Sequence, residues 1–145
     1  MYCSINDLIN DITHNTLIEL VNDENVDPNL INLNSENIFS DRIIDQINNA
    51  KTEIDFYLNN KIQIDINNIP PIIKTVARDL SKYYLYKRRF LSKVPTGILN
   101  NYNNRILQLK DIALGNLLLV YDYDTSQKYL SNKTKQDRYF IYERN

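Results

Sequence analysis

The sequence contains few of the residues that small proteins use for catalysis, metal binding or cross-linking. Its 145 residues include one cysteine, one histidine, two glycines and no tryptophan. A single cysteine excludes an internal disulfide and argues against a cysteine-based metal site, so we expect the protein to mature in a reducing compartment. The two glycines lie far apart, which excludes a glycine-rich phosphate loop.

Long apolar runs and an excess of charge are also missing. No stretch approaches the roughly 20 consecutive apolar residues that span a bilayer, and the first residues lack the basic and apolar regions of a signal peptide. We therefore expect no membrane association. The formal net charge of -1 gives no support to general polyanion binding. A chain of this length fits one domain that can bury a core.

Apolar residues recur at intervals of three and four along most of the chain, which is typical of helices that bury one face. Ser4 and Asp7 form a capping-box-like start for a short helix, and a second short helix follows a break over Thr13-His14-Asn15-Thr16. Residues 22–34 are rich in Asn and Asp and are predicted to form a loop. A long helix is predicted over residues 35–59, and its apolar stripe consists of Phe39, Ile43, Ile47, Ala50, Ile54, Tyr57 and Leu58.

Isoleucines alternate with polar residues over residues 61–66, and this period of two indicates an extended or strand segment. Pro70-Pro71 then begins another helix, because first-turn amides need no partner within the helix. We expect that helix to end near Phe90.

Pro95 and Gly97 mark a turn before the last helix. Thr96 is its expected N-cap and Gly115 its expected C-cap. One stripe of this helix is predicted to be buried, and its residues are Leu99, Tyr102, Ile106, Leu109 and Ala113.

The chain changes character after Gly115. The apolar run 117–120 leads into alternating Tyr and Asp over 121–124, and the polar stretch 125–137 separates these from the aromatic run 139–142. Both apolar runs favour extended structure. We therefore predict a helical domain over residues 1–115 and an extended C-terminal arm over residues 116–145.

The aromatic run at 139–142 is costly to leave in water and must cover an apolar surface. It either packs on its own domain or docks on another chain, and we favour docking between subunits. The candidate contacts in the arm are Leu117, Leu118, Tyr121, Tyr123, Arg138, Tyr139, Phe140 and Tyr142.

A basic stripe runs along the helix that begins at Pro70-Pro71. Its members are Lys74, Arg78, Lys82 and Arg89. With the tyrosines at 83, 84 and 86, this stripe suits phosphate binding and base stacking. The simpler interpretation is a solvated or subunit-facing side of the helix, since cations near a helix C-terminus are each stabilised by ~0.3–1 kcal/mol.

The remaining polar residues give no catalytic pattern. His14 has no nucleophile motif near it, so we interpret it as a surface or capping residue. Cys3, without a second cysteine, is interpreted as a small packing residue. Glu53 and Asp55 do not form a credible acid/base pair. The acids Asp122, Asp124 and Asp137 are better explained as solvated carboxylates than as a metal site. We predict neither an enzyme nor a cofactor.

Three segments, in this order, resemble the Mu-like phage and prophage family found between the major capsid and tail genes. They are the start Met1-Tyr2 with Ser4, Asp7 and Leu8, then Glu53-Ile54-Asp55 with Tyr57-Leu58, and then Pro70-Pro71 through Tyr86. The closing Arg138-Tyr139-Phe140 is also similar to the aromatic, arginine-containing tail of many such proteins.

That family is taken to consist of head-tail connector proteins, also called neck or adaptor proteins. The resemblance implies an all-α connector fold, namely a small antiparallel helical bundle with an extended loop and a C-terminal arm. It implies a homo-oligomeric ring, a dodecamer, in the virion neck between a portal protein and a tail-side neck or tail-completion protein. DNA passes through the ring without specific binding.

The resemblance also implies that the protein is made in the cytoplasm of a bacterial host and has no catalytic residues. In a ring, the basic stripe would pair with acids of the next subunit. The alternative hypothesis is a small helical regulator that binds nucleic acid through this stripe.

Overall fold

The computed structural model describes residues 1–58, 62–90, 93–121 and 128–130, with the backbone alone at Tyr121 and 128–130. Its helices are α1 (Ile5–Ile12), α2 (His14–Val21), α3 (Ile38–Leu58), α4 (Pro71–Phe90) and α5 (Thr96–Leu114). A short 3₁₀ turn spans Pro28–Leu30, and two strands follow the helices, β1 (Leu119–Tyr121) and β2 (Lys128–Leu130). The predicted small helical bundle is confirmed.

A capping box and a sharp corner shape the first two helices. The Ser4 hydroxyl accepts from the Asp7 amide at 3.2 Å, and the Asp7 carboxylate accepts from the Ser4 amide at 2.7 Å. Thr13 separates α1 from α2 with a φ of 65°, and its hydroxyl accepts from the Thr16 amide. His14 is the exposed first residue of α2. The predicted cap and surface histidine are confirmed. The break is shorter than predicted, because it consists of Thr13 alone and His14-Asn15-Thr16 already belong to α2.

The segment 22–34 was predicted to be a loop, but it also supplies side chains to the core. It contains the Pro28–Leu30 turn, and the side chains of Ile31 and Leu33 are buried in the core. The Asn22 side chain bonds both the amide and the carbonyl of Val26, which fixes the entry to the segment. The local composition gave no sign of these long-range contacts.

The long helix α3 begins later than predicted because Asn37 caps it. The side-chain oxygen of Asn37 accepts from the amides of Phe39 and Ser40 at 2.9 and 3.0 Å. Five members of the predicted stripe are buried, and two are half-buried, Phe39 and Tyr57.

Residues 61–66 were predicted to be extended or to form a strand, and the strand alternative is wrong for the described residues 62–66, which form no ladder. Ile62 and Ile64 do pack against the core, as the alternation indicated. The Asn68 amide then donates to the Asp65 carbonyl in a turn, and Ile66 is left exposed. A strand also requires a partner, and none is present among the described neighbours.

Helices α4 and α5 run antiparallel. Asp79 of α4 pairs with Arg105 of α5, and Tyr83, further along α4, stacks on Tyr102, which comes earlier in α5. Helix α4 has the predicted bounds, from Pro71 to Phe90. Gly115 has a φ of 75° and is the predicted C-cap.

Two details predicted for α5 are wrong. Thr96 is the first residue of the helix, not its cap, because Pro95 takes the N-cap position and makes no side-chain capping bond. Leu99 is 39% exposed, whereas Ile112, outside the predicted stripe, is buried.

The segment after Gly115 starts with a core residue. Leu119 is fully buried, and β1 pairs antiparallel with β2 in the register Leu119 with Leu130. The extended structure predicted after residue 117 is therefore present in β1, whereas β2 falls in the stretch 125–137 that was predicted only as polar. The aromatic run 139–142 lies outside the described residues. The division into 1–115 and 116–145 stays a prediction.

Candidate assembly surfaces

The basic stripe on α4 is largely neutralised by acids of the same chain. Arg78 and Lys82 both contact Asp11 of α1 at 3.1 Å. Arg89 contacts Asp23, which follows α2, at 2.9 Å. From the sequence, we expected such acids in a neighbouring subunit. The stripe is therefore not an open row of phosphate-binding cations, and this counts against the nucleic-acid alternative.

Asp79 is the buried centre of the charged network. It accepts from Lys82 at 2.6 Å and from Arg105 of α5 at 2.7 Å. Burial alone would raise the pKa of Asp79, but the hydrogen bonds from Lys82 and Arg105 outweigh it and hold the pKa below its usual range. This carboxylate ties α4 to α5 and, through Lys82, to α1.

A second charged cluster joins the end of α2 to α3 and α4. Asp23 pairs with Arg88 and Arg89, while Arg42 makes a two-pronged contact with Glu24. The hydrogen bond from Arg42 is the main cause that lowers the pKa of Glu24 to about 2. These arginines hold the segment that follows α2 against the bundle.

The tyrosines beside the basic stripe are engaged in packing. The Glu53 carboxylate of α3 accepts from the hydroxyls of Tyr84 and Tyr102, both at 2.8 Å. Burial and the nearby Glu53 raise the pKa of both tyrosines. The Tyr83 ring stacks on Tyr102 with centroids 3.9 Å apart. The Tyr102 ring therefore covers one face of the Tyr83 ring, and a base that stacked on that face would have to displace Tyr102.

The remaining polar candidates have structural partners. Cys3 is buried 3.6 Å from the Ser81 hydroxyl, and burial raises the pKa of its thiol, so the interpretation as a packing residue is confirmed. Asp55 accepts from Tyr2 at 2.5 Å and also pairs with Lys51. Among the described residues no group of three or more His, Cys, Asp or Glu side chains could hold a metal ion. Asp122, Asp124 and Asp137 lie outside that part of the chain.

The candidate contacts of the arm are only partly described. Leu117 and Leu118 are 36% and 40% exposed beside the buried Leu119. Tyr121 ends β1 and is described by its backbone alone. The other candidates lie outside the described residues, and they are Tyr123, Arg138, Tyr139, Phe140 and Tyr142.

An apolar ridge on α5 was not predicted from the sequence. Leu107 and Leu114 are 58% and 67% exposed, and Asp111 lies between them. The spacing i, i+4, i+7 places all three on one side of the helix, opposite the buried Leu109. The signal was present in the sequence, since Leu107 and Leu114 fall outside the predicted stripe. We call Leu107, Asp111 and Leu114 the α5 ridge.

An open groove of about 430 Å³ lies at the N-terminal segment, against α3 and the start of α4. Its apolar lining includes Met1, Ile5, Ile44 and Ile69. Two side chains of opposite charge also line it, Asp7 of α1 and Lys74 of the basic stripe. We call it the N-terminal groove.

The fold and these surfaces define a class, namely a small helical bundle whose charged and tyrosine side chains are largely paired within the chain. The chain belongs to the bacteriophage Mu, Gp36 family, whose model matches residues 2–136. It is therefore a phage protein, as the resemblance indicated, and the match continues beyond Gly115. No curated protein matches the sequence. No helix in the described ranges is long and apolar enough to cross a membrane.

Proposed function

We propose that the protein is a structural component of the virion, a head-tail connector that forms a ring beneath the portal and continues the DNA channel towards the tail. The observation that carries the proposal is the match to the Mu Gp36 family over nearly the whole chain. The position of related proteins between capsid and tail genes, implied by the resemblance, supports a role at the junction of head and tail.

The contrast between paired polar side chains inside the bundle and exposed apolar side chains on its surface also supports an assembly role. Inside the bundle, Asp79 and Glu53 each bind two side chains from other positions. On the outside, Leu107 and Leu114 of the α5 ridge are more than half exposed, and the N-terminal groove is open. Exposed apolar surfaces of this kind mark sites where proteins meet.

The near-neutral net charge of -1 suits a channel through which DNA must slide. A strongly basic inner wall would hold the phosphate backbone. Three of the four stripe cations are already paired with acids of their own chain, at Asp11, Asp79 and Asp23.

The direct test is negative-stain electron microscopy of the protein mixed with its portal protein. We expect rings that stack coaxially on the portal. Protein that stays monomeric and ignores the portal would contradict the proposal. A salt-dependent complex with duplex DNA under the same conditions would instead favour the nucleic-acid alternative.

A pair of truncations separates folding from docking. A chain that stops after Tyr121 keeps Leu119 in the core, so we expect native helicity by circular dichroism together with loss of portal binding. A chain that stops after Gly115 also loses Leu119, so we expect it to be less stable by about 2–5 kcal/mol. Wild-type assembly by the longer truncation would show that the arm is not needed for docking.

A further inference from the structure

The α5 ridge and the N-terminal groove are complementary in shape. The ridge is convex, because Leu107 and Leu114 project from the solvent side of a helix, whereas the groove is concave and lined by isoleucines. The two surfaces are built from different elements, so one chain presents both at once.

Each surface carries one charged side chain without a salt-bridge partner. The groove also contains Asp7, whose carboxylate already accepts from the amide and the hydroxyl of Ser4. Lys74 lines the groove, is exposed, and has no carboxylate within 4.0 Å among the described residues. Asp111 lies on the ridge, is exposed, and has no cation within that distance in the same ranges. The other cations of the stripe, by contrast, each find an acid in their own chain.

We propose that the α5 ridge of one copy binds in the N-terminal groove of the next, with Asp111 of the first facing Lys74 of the second. A ridge that meets a groove is a heterologous contact, which generates a closed ring when the rotation between copies closes. The inference rests on the proposed function for the closed ring, but the contact itself follows from the two surfaces.

An isologous dimer is a poorer fit to the same surfaces. Two ridges packed against each other would place Asp111 near its own copy, and two facing grooves would do the same for Lys74. Like charges so placed oppose association. The pairing of ridge with groove buries the leucines and brings opposite charges together.

The test is a charge exchange at the proposed contact. Lys74→Glu and Asp111→Lys should each weaken self-association by roughly tenfold or more in sedimentation velocity, because each places like charges together. The double variant Lys74→Glu/Asp111→Lys should recover the wild-type association. Glu19→Lys, the reversal of an exposed acid on α2, is the matched control and should have no effect.

A second measurement identifies the geometry directly. Lys74→Cys and Asp111→Cys are prepared separately, mixed, and treated with a short bis-maleimide, with and without the portal protein. Both variants also carry Cys3→Ser, because Cys3 lines the groove and could otherwise react with a cysteine on the ridge. A heterologous contact then gives cross-linked pairs mainly in the mixture. Cross-links in either single variant alone at the same yield would overturn the inference in favour of an isologous contact.

The outcomes separate this inference from the proposed function. Rings or oligomers that form equally well in both charge reversals, and that give no mixed cross-link, overturn the ridge-in-groove contact while the connector role stands. A wild-type chain that neither self-associates nor binds the portal overturns both. Rescue by the double variant together with the mixed cross-link supports the contact.

Discussion

The two sides of α5 differ in how completely their side chains are satisfied within the chain. On the inner side Arg105 binds Asp79, Tyr102 binds Glu53, and Leu109 is fully buried. On the outer side Leu107 and Leu114 are more than half exposed. One side of α5 therefore packs in the core, and the other side is an exposed surface. Substitutions on the inner side should change stability, and substitutions on the outer side should change assembly.

The largest contrast is expected between two leucines of this helix. Leu109→Ala should lower the free energy of unfolding by about 3 kcal/mol, since it removes buried methyl groups and leaves a cavity. Leu107→Ala should change stability by less than about 0.5 kcal/mol. Urea denaturation followed by circular dichroism measures both. Equal losses at the two positions would show that the outer side also belongs to the core.

The next contrast compares two aspartates. Asp79→Asn should cost about 2 kcal/mol of stability, below the ~3–5 kcal/mol typical of a fully buried pair, because Lys82 and Arg105 still reach water. Their side chains are 13% and 26% exposed. Asp111→Asn should leave stability unchanged within about 0.5 kcal/mol and should affect self-association alone. The same denaturation experiment, repeated beside sedimentation, checks both statements.

These contrasts also show how much the sequence could predict. Periodicity placed α4 from Pro71 to Phe90 and the buried stripe of α3, because both depend on residues close together in the chain. It could not reveal that Ile31 and Leu33 enter the core from a polar segment. The strand β2 was missed for a related reason, since strand pairing joins residues that no local pattern connects.

The same limit applies to the candidate surfaces. The basic stripe was visible as spacing, but its partners Asp11 and Asp23 lie more than 60 residues away from Arg78 and Arg89. Their proximity follows from how α1 and α2 pack on α4. The α5 ridge was visible in principle, as leucines outside the buried stripe, although only the structure shows that nothing in the described ranges covers them.

A smaller effect is expected from the tyrosine cluster on the inner side. Tyr102→Phe removes a hydroxyl that donates to the Glu53 carboxylate, and should cost about 1.5 kcal/mol. Glu53 retains the bond from Tyr84, so the carboxylate is not left unpartnered. Tyr57→Phe is the control on α3. A loss as large as that from Leu109→Ala would mean that the hydroxyl contributes far more than one hydrogen bond, because Phe keeps the ring and its stacking on Tyr83.

The smallest expected effect is a dependence of stability on pH. The pKa of Asp79 is lowered in the folded state, so its contribution is present above the ordinary pKa of about 4 and is lost as the pH falls through the lower folded value. The difference in unfolding free energy between wild type and Asp79→Asn should therefore shrink below about pH 4. Leu107→Ala should follow the wild-type pH profile throughout.

The buried position of Leu119 limits where the length of this chain can change. Three residues, 116–118, connect the C-cap Gly115 to Leu119 in the core. Removal of one of them would draw Leu119 out of its site, a loss of about 2–5 kcal/mol by analogy with a leucine truncated in a core. In-frame deletions should therefore be selected against in this short connection.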